Sequence, residues 1–315
     1  MTSEERREGR YQRRMAARRR KIQERNKPFE EVFSFENLYK GYLRSRKGVM
    51  WKASTQVYKA NALPNIRKTQ LALLSGTWKS KGFVCFDLYD RGKLRHIRAV
   101  HISERVVQHA LCDELLTPAI MPSLIYDNAG SIKGKGMDFS LRRCRKHLSQ
   151  AIRKYGRDNL YVLLYDFKGY FDNIDHDQAM KLMEKYVEDP RCLKLVRQLI
   201  DDFGEVGVGL GSQVSQTIAT AIPNRIDHYC KETLRLKYYG RYMDDGYAIS
   251  DSREYLEFCL ERLKEPGDDH SDKPEEDQDC AASEGLYLPE DALHHHQVGA
   301  YRPAGQPEDH HKGAA

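Results

Sequence analysis

The sequence predicts an α+β fold, because strand patterns and amphipathic helices alternate along one stretch of chain. The segment "LYVLLYDF" (Leu160–Phe167) is a continuous apolar run, typical of a strand buried on both faces. The segment "LKYYGRYMDDGYAIS" (Leu236–Ser250) has strand-forming residues on both sides of a Met-Asp-Asp-Gly turn and predicts a hairpin. Between them, "DHDQAMKLMEKYV" (Asp175–Val187) carries apolar residues at helical spacing.

Capping residues and a proline predict where the helices begin and bend. Asp175 or Asp177 can cap the helix that follows the first strand. Pro223 predicts a kink in the helix that precedes the hairpin. Asp251 and Glu254 predict a capping box for a helix after the hairpin. The apolar face of that last helix is predicted to contain Tyr255, Leu256, Cys259, Leu260 and Leu263.

Length and composition limit the class of protein. A chain of 315 residues can form one large domain or two ordinary ones. No run of 18 apolar residues occurs, so no membrane span and no membrane partner are predicted. Seven cysteines without a CxxC pair predict reduced thiols and no zinc site. These features predict a cytoplasmic protein.

Charge is distributed unevenly along the chain. The net charge is +6, but residues 265–315 carry 13 acidic and 3 basic residues, so residues 1–264 carry +16. A basic body with 19 tyrosines suits a polyanionic partner, and nucleic acid is the most plausible one. The alternative is a basic surface that only confers solubility.

Two basic segments are candidate nucleic-acid contacts. The predicted N-terminal arm, residues 1–30, is a solvated helix or disordered, because residues 1–27 hold 11 basic and 4 acidic residues and few apolar ones. A loop with Lys133 and Lys135 is the second segment. Both can contact phosphates, or they can be a solubilising tail and a solvated loop. The candidate residues of the arm are Arg18, Arg19, Arg20 and Lys21.

Three carboxylates are the candidate chemical centre. Asp244 and Asp245 lie at the predicted hairpin tip, and Asp166 lies at the end of the predicted buried strand. A strand packed beside the hairpin can bring them together, and clustered carboxylates are stable around a divalent cation such as Mg²⁺. The alternative is that the acidic pair is an ordinary surface turn.

Four motifs carry a resemblance to a known family. "RYMDDGYAIS" (Arg241–Ser250) resembles the catalytic hairpin of reverse transcriptases, and "YDFKGYFDNIDH" (Tyr165–His176) resembles their first catalytic motif. "GLGSQVSQ" (Gly209–Gln216) and "GKLRHIRAVHISERVVQHAL" (Gly92–Leu111) resemble a loop and a fingers segment. The motifs occur in the family's order over roughly residues 60–264. They resemble bacterial members related to group II intron, retron and diversity-generating enzymes.

The resemblance implies a metal-dependent site. Asp166 and Asp244 would bind two Mg²⁺ ions, for which Mn²⁺ can substitute, with Asp245 assisting. The backbone carbonyl of Phe167 would complete one metal site. The ring of Phe171, five residues after Asp166, would exclude a 2′-hydroxyl and so select deoxynucleotides; the alternative is that Phe171 packs in the core.

The resemblance also implies residues that contact the nucleotide. Lys93 and Arg95 would contact the incoming triphosphate, or they are merely exposed on a strand. Gln213 and Gln216 would lie under the nascent base pair. His176 would orient its motif by hydrogen bonding and is not expected to bind metal.

Taken together, the resemblance implies a right-hand polymerase with fingers and palm at residues 31–264, an antiparallel palm sheet, packed helices and no proper thumb. The implied function is RNA-directed DNA polymerase, with a primed RNA template and deoxynucleoside triphosphates as substrates, in bacteria or phage. Met243 departs from many bacterial relatives, which carry a small residue there, so the subfamily and the oligomeric state stay open. The alternatives are an RNA-dependent RNA polymerase and an inactive RNA-binding remnant.

Residues 265–315 do not continue the globular pattern. As written they predict a disordered acidic tail, in which "LHHHQ" is a possible metal ligand. Our hypothesis is a frameshift near residues 264–267. Shifted forward by one nucleotide, "LPEDALHHHQ" (Leu288–Gln297) permits Phe-Leu-Lys-Thr-Arg-Phe-Thr-Ile-Thr-Lys, which resembles a palm strand. A stop codon or an unrelated peptide in that frame would contradict the hypothesis.

Overall fold

The computed structural model describes residues 3–90, 92–264 and 293–300, which form two compact units. The first unit is built from residues up to Leu124 and from Gly169–Asn224. The second unit is built from Ile125–Lys168 and from Arg225 onward. Each unit therefore combines two stretches that are distant in sequence. None of the described helices is long and apolar enough to cross a membrane.

In chain order, the first unit begins with helices and one hairpin. The helices are α1 (Ser3–Gln23), α2 (Phe29–Val32), α3 (Phe35–Ser45), α4 (Ala53–Ala60) and α5 (Ala62–Leu74). The antiparallel hairpin β1 (Phe83–Asp90) and β2 (Lys93–Val100) follows. Next come α6 (Ile102–Leu111), a π-helical turn (Cys112–Leu116), α7 (Thr117–Ile120) and a 3₁₀ turn (Met121–Ser123).

The chain then enters the second unit, returns to the first unit and finally enters the second unit again. The second unit begins with α8 (Met137–Tyr155) and β3 (Tyr161–Phe167). The first unit resumes with a 3₁₀ turn (Phe171–Asn173), α9 (His176–Glu184), α10 (Pro190–Asp201) and α11 (Gln213–Ala221). The remaining elements are α12 (Asn224–His228), a π-helical turn (Tyr229–Thr233), β4 (Tyr238–Tyr242), β5 (Asp245–Ser250), α13 (Arg253–Lys264) and β6 (Leu293–Ala300).

The first unit is held together where α3 crosses α6. Val106 and Val107 of α6 and Leu38 of α3 are fully buried. Gly41 permits the close approach of the two helices, because a Cβ atom at this position would lie 2.6 Å from the carbonyl oxygen of Val106. A larger residue would push the two backbones apart.

Two of the sequence-predicted helix boundaries are confirmed. The Asp175 side chain caps α9, accepting a hydrogen bond from the backbone N–H of Gln178 at 2.8 Å. Pro223 lies between α11 and α12, because proline has no backbone N–H to continue the helical hydrogen bonds.

The predicted capping box at Asp251 is wrong. Ser252 caps α13 instead, because its Oγ accepts a hydrogen bond from the backbone N–H of Tyr255 at 3.0 Å. Asp251 precedes the cap, and its carboxylate accepts a hydrogen bond from the Ser250 hydroxyl at 3.3 Å. The predicted apolar face of the helix is confirmed at its buried residues, which are Leu256, Cys259, Leu260 and Leu263.

The second unit is organised around an antiparallel sheet with strand order β4-β5-β3-β6. The register pairs Tyr161 of β3 with Ser250 of β5, and Tyr165 with Gly246. On one face of the sheet α8 covers a cluster of buried residues. Its members are Ala151, Leu160, Tyr238, Tyr247 and Ile249. The prediction that β3 is buried on both faces is wrong at Leu164, which is 53% exposed.

The prediction of a disordered tail is wrong for Leu293–Ala300, which form β6. The physical reason is that β3 has two edges, and the N–H and C=O groups on the edge away from β5 need partners. The backbone of β6 supplies them, from Tyr161 opposite Ala300 to Phe167 opposite Leu293. The other residues of the predicted tail, 265–292 and 301–315, lie outside the described residues.

We expect Gly41→Ala to destabilise the first unit by about 1–3 kcal/mol, because the added methyl overpacks the contact of α3 with α6. Gly9→Ala is the matched control: the only atom near its Cβ is the mobile end of Arg13, 3.7 Å away. That control should be neutral or stabilising by about 0.5–1 kcal/mol. Denaturant unfolding measures both free energies, and equal stability of the two variants would contradict the packing argument.

Candidate active site

Two of the predicted carboxylates lie at the same end of adjacent strands. The β3–β5 register pairs Tyr165 with Gly246. The next residues along the two strands are Asp166 and Asp245, so these two residues lie just beyond the last pair of the register, at one end of the sheet. Asp166 is half-buried and Asp245 is exposed.

The third carboxylate lies in the turn of the hairpin. Tyr242 of β4 pairs with Asp245 of β5, so the turn consists of Met243 and Asp244 alone. This corrects the four-residue turn that the sequence predicts, because Asp245 and Gly246 belong to β5. Met243 has φ 56°, the left-handed conformation that tight two-residue hairpin turns require. All three carboxylates therefore lie at one end of the sheet.

A buried ion pair holds this turn in place. Asp227 and Arg241 are both 0% exposed. Their contact is bidentate, with Nε of Arg241 at 2.8 Å from Oδ1 and Nη2 at 2.8 Å from Oδ2 of Asp227. The remaining terminal nitrogen of Arg241, Nη1, donates to the backbone carbonyl of Met243. The ion pair therefore connects α12 directly to the residue that precedes Asp244.

Two buried tyrosines extend the network to β3. The Tyr239 hydroxyl donates to Oδ1 of Asp227 at 2.8 Å, and the hydroxyls of Tyr239 and Tyr165 are 2.7 Å apart. Burial raises the pKa of both tyrosines well above the ordinary value, so both stay protonated. Because Tyr165 precedes Asp166, hydrogen bonds run continuously from the strand that carries Asp166 to the turn that carries Asp244.

The glycine after the acidic pair is a packing requirement. A Cβ atom on Gly246 would lie 2.1 Å from Cζ of the Tyr165 ring. The ring therefore lies directly over the backbone of β5. A similar contact occurs at the turn, where a Cβ atom on Gly130 would lie 2.5 Å from Sδ of Met243.

The outer side of β4 is braced by the segment that contains Asp127. Arg241 donates its backbone N–H to the carbonyl of Asp127 at 3.1 Å, and Ala129 donates to the carbonyl of Arg241 at 3.0 Å. The Asp127 carboxylate contacts Arg143 and lies 3.3 Å from Nζ of Lys231. Burial alone would raise the pKa of Asp127, but the Arg143 hydrogen bond and the nearby positive charges outweigh it and lower the pKa.

The loop predicted to contact nucleic acid has one exposed lysine and one lysine that forms hydrogen bonds within the protein. Lys133 is exposed. Lys135 donates to the carbonyl oxygens of Tyr126 at 2.6 Å and Asn128 at 3.0 Å, and its Nζ lies 5.0 Å from the ring centroid of Phe139. Lys135 therefore organises its own loop in this structure.

In the first unit, Phe171 begins a 3₁₀ turn and is half-buried. Its carbonyl accepts a hydrogen bond from the backbone N–H of Val208 at 2.7 Å. His176 lies nearby in sequence, with Nε2 2.6 Å from the Gly207 carbonyl and Nδ1 3.0 Å from Oδ1 of Asp201. His176 therefore orients the Gly-rich loop through hydrogen bonds.

Gln213 and Gln216 lie on α11, at the end of the Gly-rich loop. The backbone N–H of Gln213 donates to Oε1 of Gln108 at 3.0 Å, and the same oxygen accepts from the Ser212 hydroxyl at 3.1 Å. One side chain of α6 thus holds the start of α11. Oε1 of Gln213 is buried and has no hydrogen-bond partner among the described residues.

The structure places the other predicted contacts only in part. Arg19, Arg20 and Lys21 are exposed on α1, and Arg20 pairs with Glu24, with Nε 2.9 Å from Oε1. Arg18 lies in α1, and Lys93 and Arg95 lie in β2. The structure describes only the backbone of these three residues.

The donor set at the end of the sheet fits a hard divalent cation in its chemistry. It consists of carboxylate oxygens, which Mg²⁺ and Mn²⁺ prefer, and it lacks the sulfur and imidazole ligands typical of zinc. Over residues 3–90, 92–264 and 293–300, no group of three or more His, Cys, Asp or Glu side chains is arranged so that it could hold an ion.

Comparison with known families decides the classification. Residues 66–273 match the family described as reverse transcriptase (RNA-dependent DNA polymerase). The chain belongs to the reverse transcriptase family. Divalent metal ions are general cofactors of this family. No curated protein matches the chain.

Solved structures of two telomerases are similar to this reverse transcriptase. The structure of telomerase from Candida albicans in complex with a fragment of telomeric RNA is 12% identical, with a TM-score of 0.45, over 59% of this chain and 40% of that one. An apo telomerase from Candida tropicalis is 9% identical, with a TM-score of 0.44, over 65% of this chain and 52% of that one. The chain thus spans about half or less of the length of these proteins.

The sequence did not reveal the Asp227–Arg241 pair. One signal was present, since Arg241 is a charged residue inside the strand pattern "YYGRY". A charge at such a position predicts a buried partner. The identity of the partner depends on how α12 packs on β4, which no local pattern specifies.

We expect Asp227→Asn to cost about 3–5 kcal/mol of stability, because it leaves the Arg241 charge buried without its partner. Arg241→Met should cost a similar amount by leaving Asp227 unpaired. The double variant Asp227→Asn Arg241→Met should be less destabilised than the sum of the two single variants, since no uncompensated charge remains. Denaturant unfolding of all four proteins measures the coupling energy, and additive effects would show that the two side chains are energetically independent.

Proposed function

We propose that this chain is an RNA-directed DNA polymerase that adds deoxynucleotides to a primer 3′-hydroxyl on an RNA template. The proposal rests on the position of Asp166, Asp244 and Asp245, which lie at one end of the sheet. The chain that carries them belongs to the reverse transcriptase family. The substrates are a primed RNA and deoxynucleoside triphosphates. The four motifs further favour a bacterial or phage enzyme of the group II intron, retron or diversity-generating type, acting in the cytoplasm.

The proposed metal ligands are oxygens of the second unit. Asp166 and Asp244 hold two Mg²⁺ ions, Asp245 assists, and the Phe167 carbonyl is an additional ligand. When bound, the ions supply the positive charge that favours ionisation of the primer hydroxyl and stabilises the leaving pyrophosphate. The protein's own contribution is positional: the Tyr165–Tyr239–Asp227–Arg241 network limits the movement of the strand and the turn that carry the carboxylates.

The proposed contacts to nucleotide and nucleic acid follow the family motifs. Phe171 excludes a 2′-hydroxyl, and Lys93 and Arg95 contact the triphosphate. Gln213 and Gln216 lie under the nascent base pair. The proposed contacts to the nucleic-acid backbone are Arg18, Arg19, Arg20, Lys21, Lys133 and Lys135.

We retain the frameshift at residues 264–267 as part of the proposal. In the shifted frame, the segment Leu288–Gln297 permits a peptide that resembles a palm strand. The written chain forms β6 at Leu293–Ala300, beside β3. A strand at this place is compatible with both frames, because backbone pairing does not depend on side-chain identity.

We expect Asp166→Asn and Asp244→Asn each to lower primer extension on an RNA template by about 100-fold or more, because each removes a charged ligand. Asp158→Asn is the matched control, since Asp158 is exposed and precedes β3 in the same unit. It should extend primers like the original chain. Thermal unfolding of each variant separates loss of chemistry from loss of fold. Extension by Asp244→Asn at the original rate would exclude the proposed site, and the absence of extension by the original chain would indicate an RNA-binding remnant.

We expect Phe171→Ala to raise ribonucleotide incorporation relative to deoxynucleotide incorporation by about tenfold or more, because removing the ring leaves room for the 2′-hydroxyl. Phe258→Ala on α13 is the aromatic control, as this ring is exposed. Single-nucleotide insertion with each nucleotide type gives the ratio. Equal use of both sugars by the original chain would instead favour an RNA-dependent RNA polymerase.

A further inference from the structure

A short segment of the Gly-rich loop, Val206–Val208, pairs with the backbone around Phe171 in the first unit. We call it the bracing segment. Its last residue donates a backbone N–H to the Phe171 carbonyl at 2.7 Å, and its middle residue donates to the Ile174 carbonyl at 2.9 Å. Its first residue forms an antiparallel bridge with Asp175. These backbone contacts set the distance between the loop and the stretch of chain that carries Phe171.

The middle residue of the bracing segment must be glycine for two reasons. Gly207 is buried and has φ 87°, a backbone conformation that residues with a side chain rarely adopt. A Cβ atom on Gly207 would also lie 2.7 Å from the carbonyl oxygen of Asp172 and 3.1 Å from its Cα. Because Asp172 directly follows Phe171, a side chain at Gly207 would displace the backbone that carries the Phe171 ring.

A buried histidine holds the bracing segment at Gly207. Nε2 of His176 lies 2.6 Å from the Gly207 carbonyl oxygen, and Nδ1 lies 3.0 Å from Oδ1 of Asp201. Both oxygens are acceptors, so both contacts are hydrogen bonds when the imidazole carries a proton on each nitrogen. Oδ2 of Asp201 accepts a hydrogen bond from Nε of Arg197 at 2.8 Å. These contacts connect α10 to the carbonyl of Gly207.

The Phe171 ring packs against an anchored tyrosine. The ring centroids of Phe171 and Tyr170 are 5.6 Å apart, and the ring planes meet at 76°, an edge-to-face contact that aromatic pairs prefer. Tyr170 is buried, and its hydroxyl donates to the Ala219 carbonyl on α11. Phe171 is therefore held at its ring by Tyr170 and at its backbone by the bracing segment.

The position of this ring matters because ribose and deoxyribose differ by a single hydroxyl. A ring discriminates between the two sugars only while it occupies the space that the hydroxyl would need. Functional groups must be held within about 0.5 Å of their working geometry by the residues around them. The contacts that place the Phe171 backbone therefore contribute to the choice of sugar.

We propose that Gly207 and His176 are positioning residues that determine sugar selection through Phe171. This inference rests on the proposed function, in which the Phe171 ring excludes a 2′-hydroxyl. Gly207 allows the bracing segment to lie against the backbone of Asp172, and His176 holds the Gly207 carbonyl in place. Neither residue acts on the nucleotide directly, since both act by fixing the position of the ring.

Single-nucleotide insertion measures this effect as the ratio of kcat/KM for a ribonucleotide to kcat/KM for the matching deoxynucleotide. We expect Gly207→Ala and His176→Phe each to raise this ratio by about threefold or more, because the ring is held less firmly. Gly204→Ala is the matched control: Gly204 has φ 126° in the same loop, but a Cβ atom there would lie 4.0 Å from the Val206 carbonyl oxygen, an ordinary contact. The control should leave the ratio unchanged even where it lowers stability.

A double variant tests whether Gly207 acts through the ring. In the Phe171→Ala background, Gly207→Ala should leave the sugar ratio unchanged, since no ring remains to be displaced. The same factor in both backgrounds would overturn the proposal. So would an equal loss of kcat/KM for both sugars in Gly207→Ala, because a purely structural role does not change their ratio. Thermal unfolding identifies the folded variants, and His176→Phe supplies the same test where Gly207→Ala does not fold.

Fluorine nuclear magnetic resonance observes the ring without any catalysis. The chain has 10 phenylalanines, which are replaced by para-fluorophenylalanine, and the signal lost in Phe171→Leu belongs to Phe171. Gly207→Ala and His176→Phe should each shift or broaden that signal, and Gly204→Ala should not. An unchanged signal in the first two variants overturns the positioning inference and leaves the proposed function untouched. A changed signal in a chain that inserts no nucleotide supports the positioning contact and contradicts the proposed function alone.

Discussion

The buried ion pair between Asp227 and Arg241 is the interaction on which the candidate active site depends. Burying two charges costs several kcal/mol for each ion unless their partners are well placed. Here the contact is bidentate, and Tyr239 and the Met243 carbonyl satisfy further groups of the pair. Because any displacement of the turn would break these hydrogen bonds, the ion pair restricts the turn to one position on α12.

The same constraint explains the small residues around the hairpin. The Tyr165 hydroxyl reaches Tyr239 because its ring lies on the backbone of Gly246, where a side chain would collide with it. On the other side of the turn, Met243 packs against Gly130 in the same way. Polar contacts thus set the position of the hairpin, and glycines permit the close approach that those contacts need. The geometry of the carboxylates is a consequence of both.

Sequence patterns predicted helix boundaries correctly where a single residue determines the boundary. Asp175 caps α9 because its carboxylate accepts a backbone hydrogen bond. Pro223 interrupts the helix because proline has no backbone N–H. Sequence patterns gave the wrong boundary where either of two adjacent residues could begin the element. Ser252 rather than Asp251 caps α13, and Asp245 belongs to a strand rather than the turn. The position at which the helix begins decides the first case, and the pairing of Tyr242 with Asp245 decides the second.

The sequence by itself determined which residues carry the chemistry. Asp166 and the pair Asp244–Asp245 stand out because carboxylates at the ends of strand patterns are a local feature. Only the tertiary structure decided what surrounds them. Arg241 meets Asp227 across 14 positions of the chain, and Tyr165 meets Tyr239 across 74. Contacts between distant residues depend on strand register and helix packing, and these arise from the whole chain folding together, so no short segment encodes them.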